Sequence, residues 1–448
     1  MANRDKIMWI FWIQFALLLT AILMGIRRGG VALGMIGGLG VAVLCFVFRV
    51  APAEPPITVM LIILAVVTAS ATLQVAGGLD FLVQQAERLM RRHPQQITFL
   101  APLSTFLLTM CVGTGHAVYS LLPVIADVSL KTRIRPERPM AMASVASQMG
   151  ITASPAAAAV TSLLAMTAHS GQPLTLWQIL MVTAPSGLLG VLAAACWSLR
   201  RGVELDRDPE FLARMQDPDF RASVEKSVTT LDKTLPAAAR QSVALFFSGI
   251  LVIVLLALFP QWLPVSQGKP VPMTTVVQFV MLAFGAFILF RSNAKAAVIA
   301  RSEVFTAGMI AVVSIFGIAW MSDTFVKANE PLLVANIKAM VAYAPWTFAL
   351  AMFAVSAFVK SQAATLTIMV PFGLALGLSP HQLLAIMPSC YAYFFFAFYP
   401  SDLAAINMDR SGTTRIGKYL LNHSFMMPGL IGVGVSTLAA YGLTHLYF

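Results

Sequence analysis

The sequence predicts an all-α polytopic membrane protein built from inverted repeats, with about ten spans, two re-entrant hairpins and broken helices. Three observations predict it. Of 448 residues, 58% are apolar and 11% are Asp, Glu, Lys or Arg, where an ordinary soluble domain carries about 25% charged residues. Long apolar runs alternate with short charged stretches, and at roughly 20 residues per crossing the chain has room for ten or more spans. Two further runs have flanks that a single crossing does not explain. The net charge of +11 does not point to nucleic acid, because Lys and Arg punctuate the apolar runs instead of forming a stripe.

The spans read as 8–26, 31–48, 57–75, 139–168, 175–199, 241–260, 274–290, 304–322, 381–409 and 419–445. The first is too long for a signal-peptide core and is followed by Arg27 and Arg28 without a small-residue cleavage pattern. With those arginines cytoplasmic, the third span descends to Arg88, Arg91 and Arg92, also cytoplasmic. The run 98–130 comes next. As one straight helix it would measure about 50 Å, too long for a ~30 Å hydrocarbon core. Both flanks are basic, with Arg91 and Arg92 before it and Lys131, Arg133, Arg135 and Arg138 after it. A re-entrant hairpin keeps both inside, turning at Val112-Gly113-Thr114-Gly115-His116.

The same accounting puts loop 200–240, Arg291, Lys295, Arg301, Arg410, Arg415 and Lys418 in the cytoplasm and both termini outside. Arg4, Lys6, Arg49, Lys269, Lys327 and Lys338 fall outside. The run 347–378, which holds Lys360, enters from outside and returns there, turning around Ser361-Gln362-Ala363-Ala364-Thr365. Residues 79–92 and 326–342 read as amphipathic surface helices leading into the hairpins. Loop 200–240 carries eight basic and eight acidic residues. It reads as a solvated linker with a short helix, or as a dock for a regulatory partner.

The two halves align. Thr98-Phe99 matches Thr347-Phe348, Pro123 matches Pro371, Pro155 matches Pro400 within Phe398 to Asp402, and Leu188 to Val191 matches Leu430 to Val433. The offset drifts from 249 to 242 in one direction, as a repeat with small deletions does. Opposite orientation of the halves follows from the charge pattern, and inverted repeats with discontinuous helices at the midplane are a recurring plan of secondary transporters.

Four breaks in apolar runs fall at equivalent places in the halves: Gly113-Thr114-Gly115-His116, Thr152-Ala153-Ser154-Pro155, Ser361 to Thr365, and Tyr399-Pro400-Ser401-Asp402. Irregular backbone at membrane depth is tolerated where protein or a cavity receives it. Each break starts a half-helix whose unpaired N–H groups favour anions without Lys or Arg. Hydroxyls of Thr114, Thr152, Ser154, Ser361, Thr365 and Ser401 and the amide of Gln362 add neutral donors, a chemistry suited to a small carboxylate. Gly113, Gly115, Ala363, Tyr399 and Pro400 complete the candidate binding set. A hydroxyl inside a membrane helix also back-bonds to a carbonyl, so the bland reading stands beside each. His116 reads as proton-linked or as a packed neutral ring. Lys360 reads as a charge partner or a snorkelling interfacial side chain. Asp402 reads as a half-helix cap or as a holder of a cation or proton. Asp80 and Asp323 read as caps.

Cys45, Cys111, Cys196 and Cys390 lie far apart in apolar runs, without metal-ligand or disulfide spacing, and no cofactor is indicated. A membrane enzyme needs paired Asp, G-x-G-D or H-E-x-x-H within the spans, and none is present. A channel predicts continuous pore-lining helices, whereas matched breaks from opposite sides favour alternating access.

These segments resemble the Dcu family of bacterial anaerobic C4-dicarboxylate transporters. The resemblance covers nearly the whole chain and rests on Val75 to Asp80, Cys111 to Pro123, Arg135 to Pro139, Ile151 to Pro155, Ser361 to Ala364, Tyr399 to Ile406 and Arg410 to Thr414. Arg135 to Pro139 and Tyr399 to Ile406 look more like the fumarate–succinate exchanger branch. The resemblance implies electroneutral exchange of fumarate, malate or aspartate for succinate across the bacterial inner membrane. Through the wider ion-transporter superfamily it implies a homodimer moving as elevators. Residues 1–96 and 241–346 are then scaffold. Residues 97–199 (hairpin 98–130, broken helix 139–168) and 347–448 (hairpin 347–378, broken helix 381–409) are the transport part, and 200–240 is a cytoplasmic loop. Exchange makes physical sense, since a dianion entering against 100 mV faces roughly 4.6 kcal/mol, which a counter-moving dianion cancels. Symport with Na⁺ or H⁺ is the alternative within the same class.

Overall fold

The computed structural model describes residues 2–28, 30–168, 170–225, 228–266, 268–292, 294–344, 346–396, 399–417 and 422–448. Lys418 and Phe398, used above for topology and repeat, lie outside the described residues.

Apolar runs without Pro or Gly breakers become helices because a bilayer offers the backbone no other partner. The first half runs through α1 (Ala2–Arg28), α2 (Ala32–Phe46), α3 (Ile57–Val75), α4 (Gly78–Arg92), α5 (Ile97–Val112), α6 (Val118–Lys131), α7 (Glu137–Met149), α8 (Ala158–Thr167) and α9 (Leu176–Ser198). Two short helices follow, α10 (Pro209–Arg214) and α11 (Pro218–Glu225). The second half comprises α12 (Ala238–Leu258), α13 (Met273–Arg291), α14 (Ala296–Ile299), α15 (Glu303–Tyr343), α16 (Trp346–Val359), α17 (Gln362–Ala375), α18 (Pro380–Ile386), α19 (Pro400–Met408) and α20 (Met426–Tyr447). A two-residue ladder, Val265–Ser266 with Lys269–Pro270, sits between α12 and α13. Among the described residues, seven helices are long and apolar enough to cross a membrane, or up to nine if each bent pair counts as one span. The run 31–48, expected as a span, yields a helix of 15 residues, about 22 Å at the α-helical rise.

Three expectations are corrected. Residues 326–342 do not form a separate surface helix but continue α15 to Tyr343. Nothing from Asp323 to Glu330 is Gly or Pro, so no residue stops the helix where the apolar run ends. Loop 200–240 is not a solvated linker. Leu205, Phe211 and Val224 bury in a small core of their own. Arg135 Nη1 donates to Asp208 (2.7 Å), Arg138 Nη1 to Glu204 (2.5 Å) and Arg214 Nη1 to the Ser411 carbonyl (2.7 Å). Further along, Gln84 donates to the Thr230 and Lys233 carbonyls (2.8 Å each), and Thr230 N donates to Glu87 (2.8 Å). Burial pulls the Arg135 guanidinium down, but its bonds to Glu137 and Asp208 outweigh burial and hold its pKa above the ordinary value. Third, Asp80 does not cap α4, whose cap is Gly77 in a left-handed conformation. It is paired with Lys233 Nζ at 2.6 Å. Asp323 lies inside α15 and caps nothing.

Charged residues before α5 and in the last turns of α6 meet. Arg91 Nη2 is 3.2 Å from Asp127 Oδ2, Lys131 Nζ is 3.1 Å from the same oxygen, and Arg410 Nη2 is 3.8 Å from Asp127 Oδ1. The segments 87–91, 127–138, 201–214, 410–417 and 422–424 therefore share one face.

The aligned segments fall on helices in both halves. Pro123 and Pro371 each sit inside the α-helix that follows a tip, α6 and α17. The Leu188–Val191 and Leu430–Val433 segments lie on α9 and α20, which pack on each other. There Gly190 faces the Gly432 backbone so closely that a side chain on Gly190 would collide with it.

Candidate functional site

The site is made where four helices stop. Helix α5 ends on Gly113 at φ 84°, and α16 is followed by Lys360 at φ 55°. The next residue is extended in both tips, Thr114 at φ −141° and ψ 137°, Ser361 at φ −152° and ψ 121°. Each then caps the helical turn it precedes. Thr114 Oγ1 accepts from His116 N (3.3 Å), and Ser361 Oγ accepts from Ala364 N (3.3 Å). The tips are thus one backbone motif written twice: a left-handed residue, an extended hydroxyl cap, a new helix. Gly113 meets its position without strain, and a Cβ there would sit 2.6 Å from the Ala156 carbonyl oxygen. Lys360 takes the same left-handed backbone at roughly 1–2 kcal/mol.

The other two breaks lie inside helices. Helix α7 ends at Met149 and α8 begins at Ala158. Between α18 and α19 the chain unwinds more than its Pro-Ser-Asp signal suggests. 3₁₀ turns at Met387–Cys390 and Tyr393–Phe396 flank an extended pair, and α19 starts at Pro400. Two prolines, Pro388 and Pro400, remove donors along this stretch.

A cavity of about 540 Å³ opens between both tips and the breaks. Its walls include Gly113, Thr114, Gly115, His116, Lys360, Ser361, Gln362, Ala363, Tyr399 and Pro400. The remaining sequence candidates stand behind the wall or within helices, and none of them lines it. Thr152 Oγ1 back-bonds to the Met149 carbonyl (3.0 Å), and Thr365 Oγ1 to the Ser361 carbonyl (2.8 Å). Ser154 Oγ accepts from Ala156 N at 3.2 Å, one residue beyond the half-buried Pro155. Ser401 and Asp402 are fully buried and face α7, where Ser144 Oγ donates to Asp402 Oδ1 (2.6 Å) and lies 2.8 Å from Ser401 Oγ. Asp402 is not the cap of α19, which carries no side-chain cap bond. Its Oδ2 is buried without a hydrogen-bond partner among the described residues. His116 is not a packed ring. It is exposed to the cavity, with Nδ1 2.6 Å from Thr114 Oγ1.

Two residues that the sequence reading left out hold the site together. Tyr393 Oη donates to Gln148 Oε1 (2.8 Å), and Gln362 Nε2 donates to the Gln148 carbonyl (2.6 Å) and to Tyr393 Oη (3.3 Å). The second tip is thereby fastened to α7 and to the unwound stretch. Gln148 and Tyr393 stand 245 residues apart, the offset that aligns Pro155 with Pro400. That coincidence was the signal available for both. Ser356 ties α16 to the unwound stretch as well, donating to the Cys390 carbonyl (2.5 Å) and accepting from Ala392 N (3.0 Å).

The cavity therefore offers two cationic or cationisable side chains, His116 and Lys360, the first N–H groups of α17, and two capping hydroxyls. A cavity with such donors receives an anion with one or more carboxylates better than a cation or an apolar solute.

Comparisons with known proteins follow the same line. The family model for an anaerobic C4-dicarboxylate membrane transporter matches residues 10–448. Over 442 residues the chain is 45% identical to the anaerobic C4-dicarboxylate transporter DcuB of Escherichia coli, spanning 98% of this chain and 99% of that one. It is 35% identical over 426 residues to the C4-dicarboxylate transporter DcuA of Wolinella succinogenes, covering 94% and 96%. In fold it is similar to the crystal structure of the YdaH transporter of Alcanivorax borkumensis, with TM-score 0.52 and 14% identity over 84% of each chain. It is also similar to MtrF of Neisseria gonorrhoeae, with TM-score 0.51 and 14% identity over 98% of this chain and 94% of that one.

Proposed function

Because the chain belongs to the family of anaerobic C4-dicarboxylate membrane transporters, we propose that it exchanges fumarate, malate or aspartate for succinate, electroneutrally and by alternating access, across the bacterial inner membrane. It is a transporter and not an enzyme. The observation that carries the substrate class is the cavity in which both tips present capped half-helix starts, with Lys360 on one and His116 on the other. Two donor sets lining one cavity suit a molecule with a carboxylate at each end.

Segments 98–130 and 347–378 act as re-entrant hairpins in this reading. The Arg91–Asp127 contact supports the first, because it brings the entry of α5 and the exit of α6 to one face. The matched tips support the second. That face, which carries the arginines around loop 200–240, is the cytoplasmic one, and both termini are periplasmic. The hairpins and broken helices, 97–199 and 347–448, move as an elevator against a scaffold of 1–96 and 241–346, which also forms the homodimer contact. Exchange follows from energetics, since returning one dianion for each that enters removes a barrier of roughly 4.6 kcal/mol at 100 mV.

The test uses proteoliposomes loaded with succinate or with buffer, without Na⁺ and with the potential clamped at zero. Uptake of labelled fumarate that requires internal succinate and ignores an imposed potential is the expected result. Uptake into empty vesicles that needs Na⁺ replaces exchange with symport. No uptake by folded protein removes the dicarboxylate assignment.

A further inference from the structure

A separate cavity of about 560 Å³ lies where α1 packs against α16. On the α1 side its wall is Thr20, Leu23, Met24 and Arg27, which share one face of the helix by their i, i+3, i+4, i+7 spacing. On the other side stand Phe358 near the end of α16, Lys360 beyond it and Phe396 of the unwound stretch. The rings of Phe358 and Phe396 lie 5.6 Å apart and form one aromatic wall. Leu23, Met24 and Phe358 are each about half exposed, so the groove opens sideways toward the bilayer.

Exposed apolar side chains on a spanning helix need nothing beyond ordinary bilayer chains. Two features ask for more here. The surface is concave, with a volume inside the roughly 300–1,000 Å³ that ligand sites occupy. One end of it is also cationic, and no Asp or Glu lines it among the described residues. Arg27 lies in the last turn of α1, just past the apolar stretch Met8–Gly25, at the level where headgroups meet water. It is exposed and makes no hydrogen bond or ion pair among the described residues. Arg28 beside it is exposed as well but does not line the groove.

A cation at the water end of an apolar slot fits a molecule with an anionic head and an apolar tail. A free dicarboxylate leaves the apolar walls unused, and a zwitterionic lipid brings a cation of its own to Arg27. We infer that an anionic phospholipid occupies this groove, its phosphate on Arg27 and one acyl chain along Leu23, Met24 and the Phe358–Phe396 wall. Basic pockets between spanning helices receive such headgroups. Lys360 lines this groove and the substrate cavity alike, so the bound lipid covers the second tip on its bilayer side. The inference needs only the membrane position of the chain and is independent of the solute carried.

The test reads lipid retention by native mass spectrometry. The full chain, delipidated in a mild detergent, is incubated with phosphatidylglycerol or with phosphatidylcholine of the same acyl chains. Phosphatidylglycerol should be retained about five-fold better, and Arg27→Gln should remove the preference. Arg28→Gln, outside the groove, should keep it. Equal retention of the two lipids by the wild-type chain overturns the inference. So does an equal loss in both variants, which is a response to surface charge alone. A second readout needs no variant. Phosphatidylglycerol with a photoreactive acyl chain should label peptides holding Leu23, Met24 and Phe358 ahead of the more exposed Phe290 and Leu438. Labelling in proportion to exposure overturns the site. Disulfide-linked dimers of Leu23→Cys, in a chain lacking the native cysteines, assign the groove to a second copy and overturn it too.

Discussion

The two tips, Gly113 to His116 and Lys360 to Ala363, share a backbone and differ in what they bring to it. Both place a left-handed residue, an extended hydroxyl cap and a fresh helix start against the same cavity. The first meets the left-handed position with glycine and supplies an imidazole two residues past its cap. The second meets it with lysine, against the preference of the backbone, and follows its cap with an amide that is bonded to α7. The backbone is common to both tips, and the side chains that follow it set their chemistry apart. A strained conformation kept at a cavity wall is a place to look for function.

The sharpest way to separate geometry from chemistry is to exchange the left-handed residues. Gly113→Val puts a branched Cβ at positive φ and against the Ala156 carbonyl. It should lower stability by more than the roughly 1–2 kcal/mol of the backbone alone and reduce exchange by more than about ten-fold, read by initial rates and thermal unfolding in detergent. Exchange at the wild-type rate would mean that the first tip tolerates what the second tip suffers. Lys360→Gly goes the other way. It should unfold no earlier than the wild-type chain, and later if the roughly 1–2 kcal/mol of strain is released. The apparent affinity for succinate should fall about ten-fold, since a charge-assisted hydrogen bond contributes about 1.5–3 kcal/mol. Unchanged affinity would remove Lys360 from substrate recognition.

Smaller changes probe what holds the second tip. Tyr393→Phe loses the bond to Gln148, about 1 kcal/mol, and should slow exchange by roughly five-fold without changing its pH dependence. Thr152→Val and Thr365→Val remove only back-bonds within a helix or turn, and each should stay within about two-fold of wild type. A large effect of either would place its hydroxyl in contact with substrate.

Much of this was legible in the sequence for a simple reason. Apolar runs of helical length report spans, and Gly or Pro inside them reports breaks. Thr114 and Ser361 were readable as caps from their position after a break and before an apolar run. Gln148 and Tyr393 were not, because each sits in an ordinary stretch and gains its meaning from a partner 245 residues away. Asp402 looked like a cap by spacing, but Ser144 on α7 draws its carboxylate across the interface instead. Loop 200–240 looked solvated because its charges balance locally. Two of its acids, Asp208 and Glu204, are bonded to Arg135 and Arg138, and Glu87 and Asp80 hold its far end. Residues 326–342 looked like a separate helix because the apolar pattern stops at 322, while the helix runs on through residues 323–330, which include no Gly or Pro, and past Pro331 to Tyr343.

Whether both tips grip one substrate is tested most directly by protection. Thr114→Cys and Ser361→Cys, each made in a chain lacking the native cysteines, are labelled with a small thiol reagent at increasing succinate. Joint binding predicts that succinate slows labelling at both positions with the same half-saturating concentration. Protection at one tip alone, or two distinct saturation curves, would contradict a single cavity shared by the two halves.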